Sequence, residues 1–223
     1  MSLVSKNPYT EKVEATLEEH TKEEVEDILA RAYKAFPLWR DITFTDRARV
    51  MRAFAHVLEK DKEHYASIAT KEMGRTITAA ISEIEKFVKC ICFYADNAEK
   101  FLADESIETE ASISKVIYQP LGTVLAIMPW NFPFWQVIRF LAPALMAGNT
   151  AILKHASNVS GCAEAILDAL RKAGLPEGVF ENIKLAGGKI LELLDDERIV
   201  AVSYTHLRAH ETKANLVCRL LLE

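Results

Sequence analysis

No apolar run in this 223-residue chain is long enough to span a bilayer, and Met1 to Tyr9 lacks the apolar core of a signal peptide. Positive charge is not in excess: 27 Lys and Arg stand against 32 Asp and Glu, a formal net charge of −5. That balance gives no electrostatic reason to expect nucleic acid or an acidic membrane as a partner. Cysteine is scarce, and Cys90, Cys92, Cys162 and Cys218 show no paired metal-ligand spacing. Cys90 and Cys92 are two apart, on different faces of a helix, so reduced, buried thiols in a reducing cytoplasm are the expectation. Half of the residues are hydrophobic, enough for a core. The composition therefore reads as a cytoplasmic globular protein of one or two domains, with small molecules or proteins as partners and no metal.

The rest of the chain is organised around Pro129-Trp130-Asn131-Phe132-Pro133, which follows the apolar run Leu121 to Met128. A buried strand breaks at a proline, turns through a polar Asn and meets a second proline suited to the first turn of a helix. In open α/β sheets ligands bind at the carboxyl ends of strands, so Asn131 is a candidate for function.

Taken in order, the chain predicts a short strand over Lys12 to Thr16 and a helix opened by the Thr21/Glu24 capping-box pattern, with an apolar face through Val25, Ile28, Leu29, Ala32 and Phe36. Pro37 is expected to stop it. A second helix is expected from Thr45, and a third from Asp61 to a C-cap at Gly74. A long helix from about Thr76 to Lys100 has Ile77, Ile81, Ile84, Phe87, Val88, Ile91 and Tyr94 inward and Glu83 on a solvated face. Glu105 to Tyr118 turns to a rough period of two, an extended ribbon. Thereafter strands at Val124 to Ile127, Thr150 to Leu153, Asn182 to Leu185 and Ile199 to Val202 alternate with helices at Phe134 to Ala147, Val159 to Ala173 and Lys189 to Leu194. That alternation predicts a parallel sheet with right-handed crossovers, a Rossmann-like α/β architecture.

The run PLGTVLAIMPWNFPFWQVIRFLAPALMAGNTAILKHASN resembles the aldehyde dehydrogenase superfamily, and within it the succinate-semialdehyde dehydrogenase-like branch. The resemblance covers about residues 3 to 202. It implies an NAD(P)-dependent oxidation of a small carboxylated aldehyde, with NAD or NADP as cofactor. Asn131 matches the asparagine whose amide donates to the oxyanion; read from residues alone, it could equally satisfy loop backbone. Lys154 matches the lysine that bonds the adenosine ribose hydroxyls, the other reading being a solvated charge. Ile127 and Trp130 match positions whose backbone faces the cofactor, or are plain core packing. Ser157 stands where many NAD-preferring relatives carry a glutamate that repels a 2′-phosphate, so its neutrality implies acceptance of NADP. Arg139 matches an arginine that pairs with the substrate's distal carboxylate in relatives acting on succinate semialdehyde, a task suited to a bidentate guanidinium. Its alternatives are snorkelling outward or pairing with a structural carboxylate. Gly187-Gly188 hints at a phosphate-binding turn or is turn punctuation alone, and His155, in place of the more usual proline, reads as structural.

The same resemblance assigns residues 1–104 to the N-terminal helical part of the cofactor-binding domain, 105–120 to an oligomerisation ribbon and 121–202 to its Rossmann-like part. After Val202 the family pattern is lost. The general-base glutamate, the catalytic cysteine and the catalytic domain have no counterpart, so the fold expected is an incomplete Rossmann-like sheet with N-terminal helices and a β-ribbon. Residues 203–223, read back into codons, resemble one frame of a transposon-type sequencing adaptor, an index and a flow-cell primer, and are expected to be translated contamination. On that view Cys218 is not the nucleophile. The His206 and His210 pair is incidental, and Arg208, His210, Lys213 and Arg219 make too small a patch for nucleic acid. Two functional readings follow: the N-terminal fragment of a dehydrogenase, homo-oligomeric in full-length form and inactive as this chain, or a non-catalytic nucleotide-binding or oligomerising fragment.

Overall fold

The computed structural model describes residues 2–204, so the expectations placed on Cys218, His206, His210 and the basic residues around them lie outside the described residues. The chain opens with an antiparallel hairpin, β1 Ser2–Lys6 and β2 Val13–Glu18. β2 answers the strand expected near Lys12 to Thr16. β1 escapes a pattern search because its two buried residues, Leu3 and Ser5, are one apolar and one polar.

α1, Lys22–Arg40, begins with the expected capping box: Glu24 N–H donates to Thr21 Oγ1 at 3.2 Å, and Thr21 N–H donates to the Glu24 carboxylate at 2.8 Å. Pro37 does not end it. The proline removes one backbone bond, at about 3 kcal/mol in a helix interior. Beyond it, however, Trp39 is buried and donates its indole N–H to Leu145 O at 3.0 Å, so tertiary packing carries the helix on to Arg40. α2, Phe44–Lys60, starts from Thr43 rather than Thr45, because Thr43 Oγ1 accepts the N–H of Asp46 at 3.1 Å. α3, Lys62–Met73, ends at a left-handed Gly74, as expected, although Asp61 makes no side-chain capping bond.

α4, Ile77–Phe101, starts at the expected Thr76, but its buried seam is Ala80, Ile84, Phe87, Ile91, Ala95 and Ala98, while Ile77 stays exposed. That rotation turns Glu83 inward instead of leaving it on a solvated face. β3 Glu105–Ser106 and β4 Lys115–Val116 then form a short antiparallel ribbon whose tip residue Ile113 is 79% exposed.

The sheet follows: β5 Thr123–Met128, α5 Trp135–Met146, β6 Thr150–His155, α6 Ser160–Lys172, β7 Phe180–Asn182 and β8 Ile199–Tyr204. Its strands lie in the order β7-β6-β5-β8, all parallel. The chain builds outward from β5 to β7 and then returns to the opposite side of β5. The switch point of a Rossmann-like sheet therefore falls at the carboxyl ends of β5 and β8. A 3₁₀ turn, Gly187–Leu193, replaces the short helix expected at Lys189, and β8 runs two residues past its expected end at Val202.

Alternation splits the core in two. Ala126, Met128, Ala151 and Leu153 face α2 to α6, whereas Leu125 and Ile152 face α1 with Ile183, Leu185 and Ile190. Neither α5 nor α6 has a side-chain cap from the residue before it. The bundle supplies both: Glu83 of α4 accepts Trp135 N–H at 3.0 Å, and Glu72 of α3 accepts the N–H groups of Gly161 and Cys162, each at 2.8 Å. Gly161 leaves room for that carboxylate, since a Cβ would lie 2.8 Å from Glu72 Oε1 and displace it. Among the described residues no helix is long and apolar enough to cross a membrane.

Candidate functional site

β5 delivers its chain end to the switch point, and residues 129–134 turn there into α5. Pro133 sits two residues ahead of the first helical residue, Trp135, rather than in the first turn. The loop is held by groups that come from other elements. His155, at the end of β6, is buried; its Nε2 lies 2.8 Å from Pro133 O, and its Nδ1 accepts the N–H of Ala156 at 2.9 Å. A carbonyl can only accept: the 2.8 Å Pro133 contact and the Ala156 N–H agree on a proton at Nε2, against a longer contact of 3.2 Å from Nδ1 to Met128 O, which would call for one at Nδ1. Burial pushes this imidazole down to about 4, which keeps it neutral. The Arg75 guanidinium stacks 4.4 Å from the centre of the Phe132 ring and pairs with Glu83, and Lys86 sits 4.1 Å from the centre of the Trp135 ring. Burial raises the Glu83 carboxyl above the usual carboxylate range, against the opposing pull of Trp135 N–H and Arg75.

Asn131, the centre of the loop, is half-buried, and its Oδ1 is buried with no hydrogen-bond partner. In this rotamer the inward atom is the carbonyl oxygen; a half-turn of the terminal amide exchanges it for the NH₂. An orphaned buried amide atom is unusual and argues against the loop-backbone reading of Asn131.

Register places Ile127 beside Lys154 on one side and Tyr204 on the other, all at the carboxyl ends of their strands. Lys154 lies within β6 rather than after it, and it is 8% exposed, which excludes the solvated-charge reading. It has no hydrogen bond or ion pair among the described residues, and burial alone pushes its ammonium below the ordinary lysine range. A buried cation without a partner is costly unless an acceptor is brought to it. Ser157 opens the short 3₁₀ turn after β6, and its carbonyl accepts from Ser160 Oγ at 2.8 Å. Trp130 is 47% exposed and is not simple core, whereas Ile127 is half-buried and packs against the cluster of Leu125, Ile152 and Ile183.

Arg139 stands exposed on α5 with no ion pair among the described residues, which leaves its head free and accords with outward snorkelling as well as with a carboxylate brought by a ligand. The Gly187-Gly188 turn is open, since a Cβ at either glycine would meet nothing within 4 Å. Its neighbouring donors are partly taken: Glu19 accepts Ala186 N–H at 2.8 Å and Lys189 Nζ at 2.5 Å. Burial raises the thiols of Cys90, Cys92 and Cys162, so none of these three is poised as a thiolate. Two surface clefts lie elsewhere, a polar one of about 300 Å³ around Arg31 and Glu181 and an apolar groove of about 330 Å³ along Phe36, Leu121 and Val200.

Sequence reasoning misses Glu83, Arg75 and the loop-holding task of His155. The one signal for Glu83 is its position beside Ile84 and Phe87, in the seam that α4 buries.

The aldehyde dehydrogenase family pattern matches residues 2–206. A probable NADP(+) succinate-semialdehyde dehydrogenase of Synechocystis sp. is 46% identical over 205 residues, 92% of this chain and 45% of that protein. The NADP(+) succinate-semialdehyde dehydrogenase of Mycobacterium leprae is 45% identical over 208 residues, again 92% of this chain and 46% of that protein. Among solved structures, succinic semialdehyde dehydrogenase from Streptococcus pyogenes in complex with NADP+ superposes with a TM-score of 0.87 at 31% identity, covering 90% of this chain and 44% of that one. The chain thus spans about half the length of the curated relatives it matches. With the family pattern running through all of the described residues, and with a Rossmann-like sheet beneath it, the chain belongs to the aldehyde dehydrogenase family.

Proposed function

We propose that this chain is the cofactor-binding and oxyanion-binding part of an NADP-dependent aldehyde dehydrogenase that oxidises succinate semialdehyde or a similar small carboxylated aldehyde. The observation that carries the reading is the gathering of Asn131, Ile127, Lys154 and Ser157 at the carboxyl ends of β5 and β6, with Lys154 buried and without a partner among the described residues. These residues fit a dinucleotide: an orphaned ammonium suits ribose hydroxyls or a 2′-phosphate, and Ser157 brings no negative charge against that phosphate. When bound, the nicotinamide supplies the hydride acceptor. The chain's own residues do the rest of what is available here. Lys154, Ser157 and the backbone of Ile127 and Trp130 hold the nucleotide, and Asn131 donates to the developing oxyanion. Arg139 takes the distal carboxylate. Burial raises the thiols of Cys90, Cys92 and Cys162, which favours none of these three as the nucleophile.

The test is nucleotide affinity. Ser157→Glu places a carboxylate where the 2′-phosphate is expected and should weaken NADP binding about tenfold or more while leaving NAD binding nearly unchanged, the size expected of one close like-charge pair. Calorimetric titration of both nucleotides against both proteins reads this directly. NADP binding no weaker in the variant would refute the assignment of Ser157.

The β3–β4 ribbon supports homo-oligomerisation of the same enzyme. Ile113, Ile117 and Tyr118 are all exposed there, and a two-stranded ribbon has little stability without a cover. A monomer in light scattering at micromolar concentration would count against that part of the reading.

A further inference from the structure

We propose that Arg75 and Glu83 are positioning residues for the Asn131 loop, a clamp that the helical bundle applies to the loop from outside the nucleotide-binding sheet. The inference deepens the oxyanion reading of Asn131. Its physical basis is the scarcity of other restraints. Trp130 and Phe132, on either side of Asn131, are 47% and 37% exposed, and Asn131 Oδ1 has no partner. Core packing therefore does little to fix the tip of the loop.

The clamp has two jaws. One Glu83 oxygen accepts the N–H of Trp135 at 3.0 Å across 52 residues of sequence, fixing where α5 starts. The other accepts from Arg75, whose guanidinium lies over Phe132 at 4.4 Å from the ring centre. The carboxylate side chain is only 5% exposed, so its two bonds form away from competing water. Arg75 follows the C-cap of α3 and Glu83 sits in the second turn of α4, so the loop is tied to the junction of two bundle helices. Charge alone does not explain the pairing, because a surface ion pair would serve solubility as well. Both contacts fall on the C-terminal side of Asn131, the stacking of Arg75 on the adjacent Phe132 and the bond at Trp135 four residues on, so they fix the limb of the loop that runs from Asn131 into α5.

Amide hydrogen exchange on the isotopically labelled chain tests this without any aldehyde. In Glu83→Ala the Trp135 amide should exchange about tenfold to a hundredfold faster, while the Leu125 and Ile152 amides in β5 and β6 change less than about twofold. In Arg75→Gln the Gln136 amide, which donates to Phe132 O at 3.0 Å, should lose protection with Trp135 largely preserved, and Glu83→Gln, which keeps an acceptor for Trp135, should restore Trp135 but not Gln136. Unchanged Trp135 and Gln136 protection in these variants overturns the proposal. So does uniform acceleration through β5 and β6, which would mean loss of stability alone. Should Glu83→Ala not fold, Arg75→Gln and Glu83→Gln decide the question by themselves. NADP titration of the same samples reports separately on the nucleotide reading: absence of binding to the wild-type chain counts against that reading and leaves the exchange result to judge the clamp.

Discussion

Asn131→Ala, made in the complete dehydrogenase to which we assign this chain, is expected to lower kcat for succinate semialdehyde about a hundredfold to a thousandfold, the usual effect of removing one oxyanion donor. The affinity for NADP and the KM for the aldehyde should change little, since the donor acts on charge that develops only in the transition state. The expectation comes from the loop at the end of β5, where the Asn131 amide has a buried atom without a partner among the described residues. Arg139→Leu supplies the contrast within the same assay. It should raise KM for the carboxylated aldehyde and leave an uncharged aldehyde of similar size nearly unaffected, because the exposed guanidinium on α5 makes no ion pair among the described residues. Steady-state kinetics with both aldehydes separates the two roles. An Asn131→Ala enzyme with wild-type kcat would remove the oxyanion role, and an Arg139→Leu enzyme with unchanged preference would remove the carboxylate role.

Acid should destabilise the chain through His155. Its imidazole titrates near 4 in the folded state, against an ordinary value of 6.5, because burial disfavours the charged ring. Between those values the unfolded chain takes up a proton that the folded chain does not. The stabilising contribution is therefore complete above pH 6.5, is lost as pH falls through the window and is gone near pH 4. At about 1.4 kcal/mol per unit the displacement amounts to about 3 kcal/mol. His155→Gln keeps a donor for Pro133 O but cannot take up a proton there. Urea denaturation of both proteins across pH 4 to 7 should show wild type ahead at neutral pH, by the bonds the ring makes, with the gap closing as the solution is acidified. A constant gap over the whole range would mean that His155 does not titrate in this way.

The sequence by itself determined the local features of this protein. Capping chemistry at Thr21, the left-handed stop at Gly74, the apolar run of β5 breaking at Pro129 and the alternation of strands with helices all depend on neighbours a few residues away. The resemblance carried by the residues around Asn131 likewise needed no coordinates. Tertiary structure decided what depends on distant partners. Pro37 reads as a helix stop until Trp39, beyond it, finds Leu145. Lys154 reads as a strand-end charge until β7 and β5 enclose β6 on both edges. Glu83 reads as a solvated carboxylate because α4 has more apolar positions than one face can bury, and only packing against α2, α3 and α5 selects the face that turns inward. The physical reason is common to all three. A charged or imino residue has a local cost that its neighbours in sequence reveal, but its burial and any partner that offsets the cost come from other elements and enter only when the elements pack; for Lys154 packing supplies the burial and no partner among the described residues.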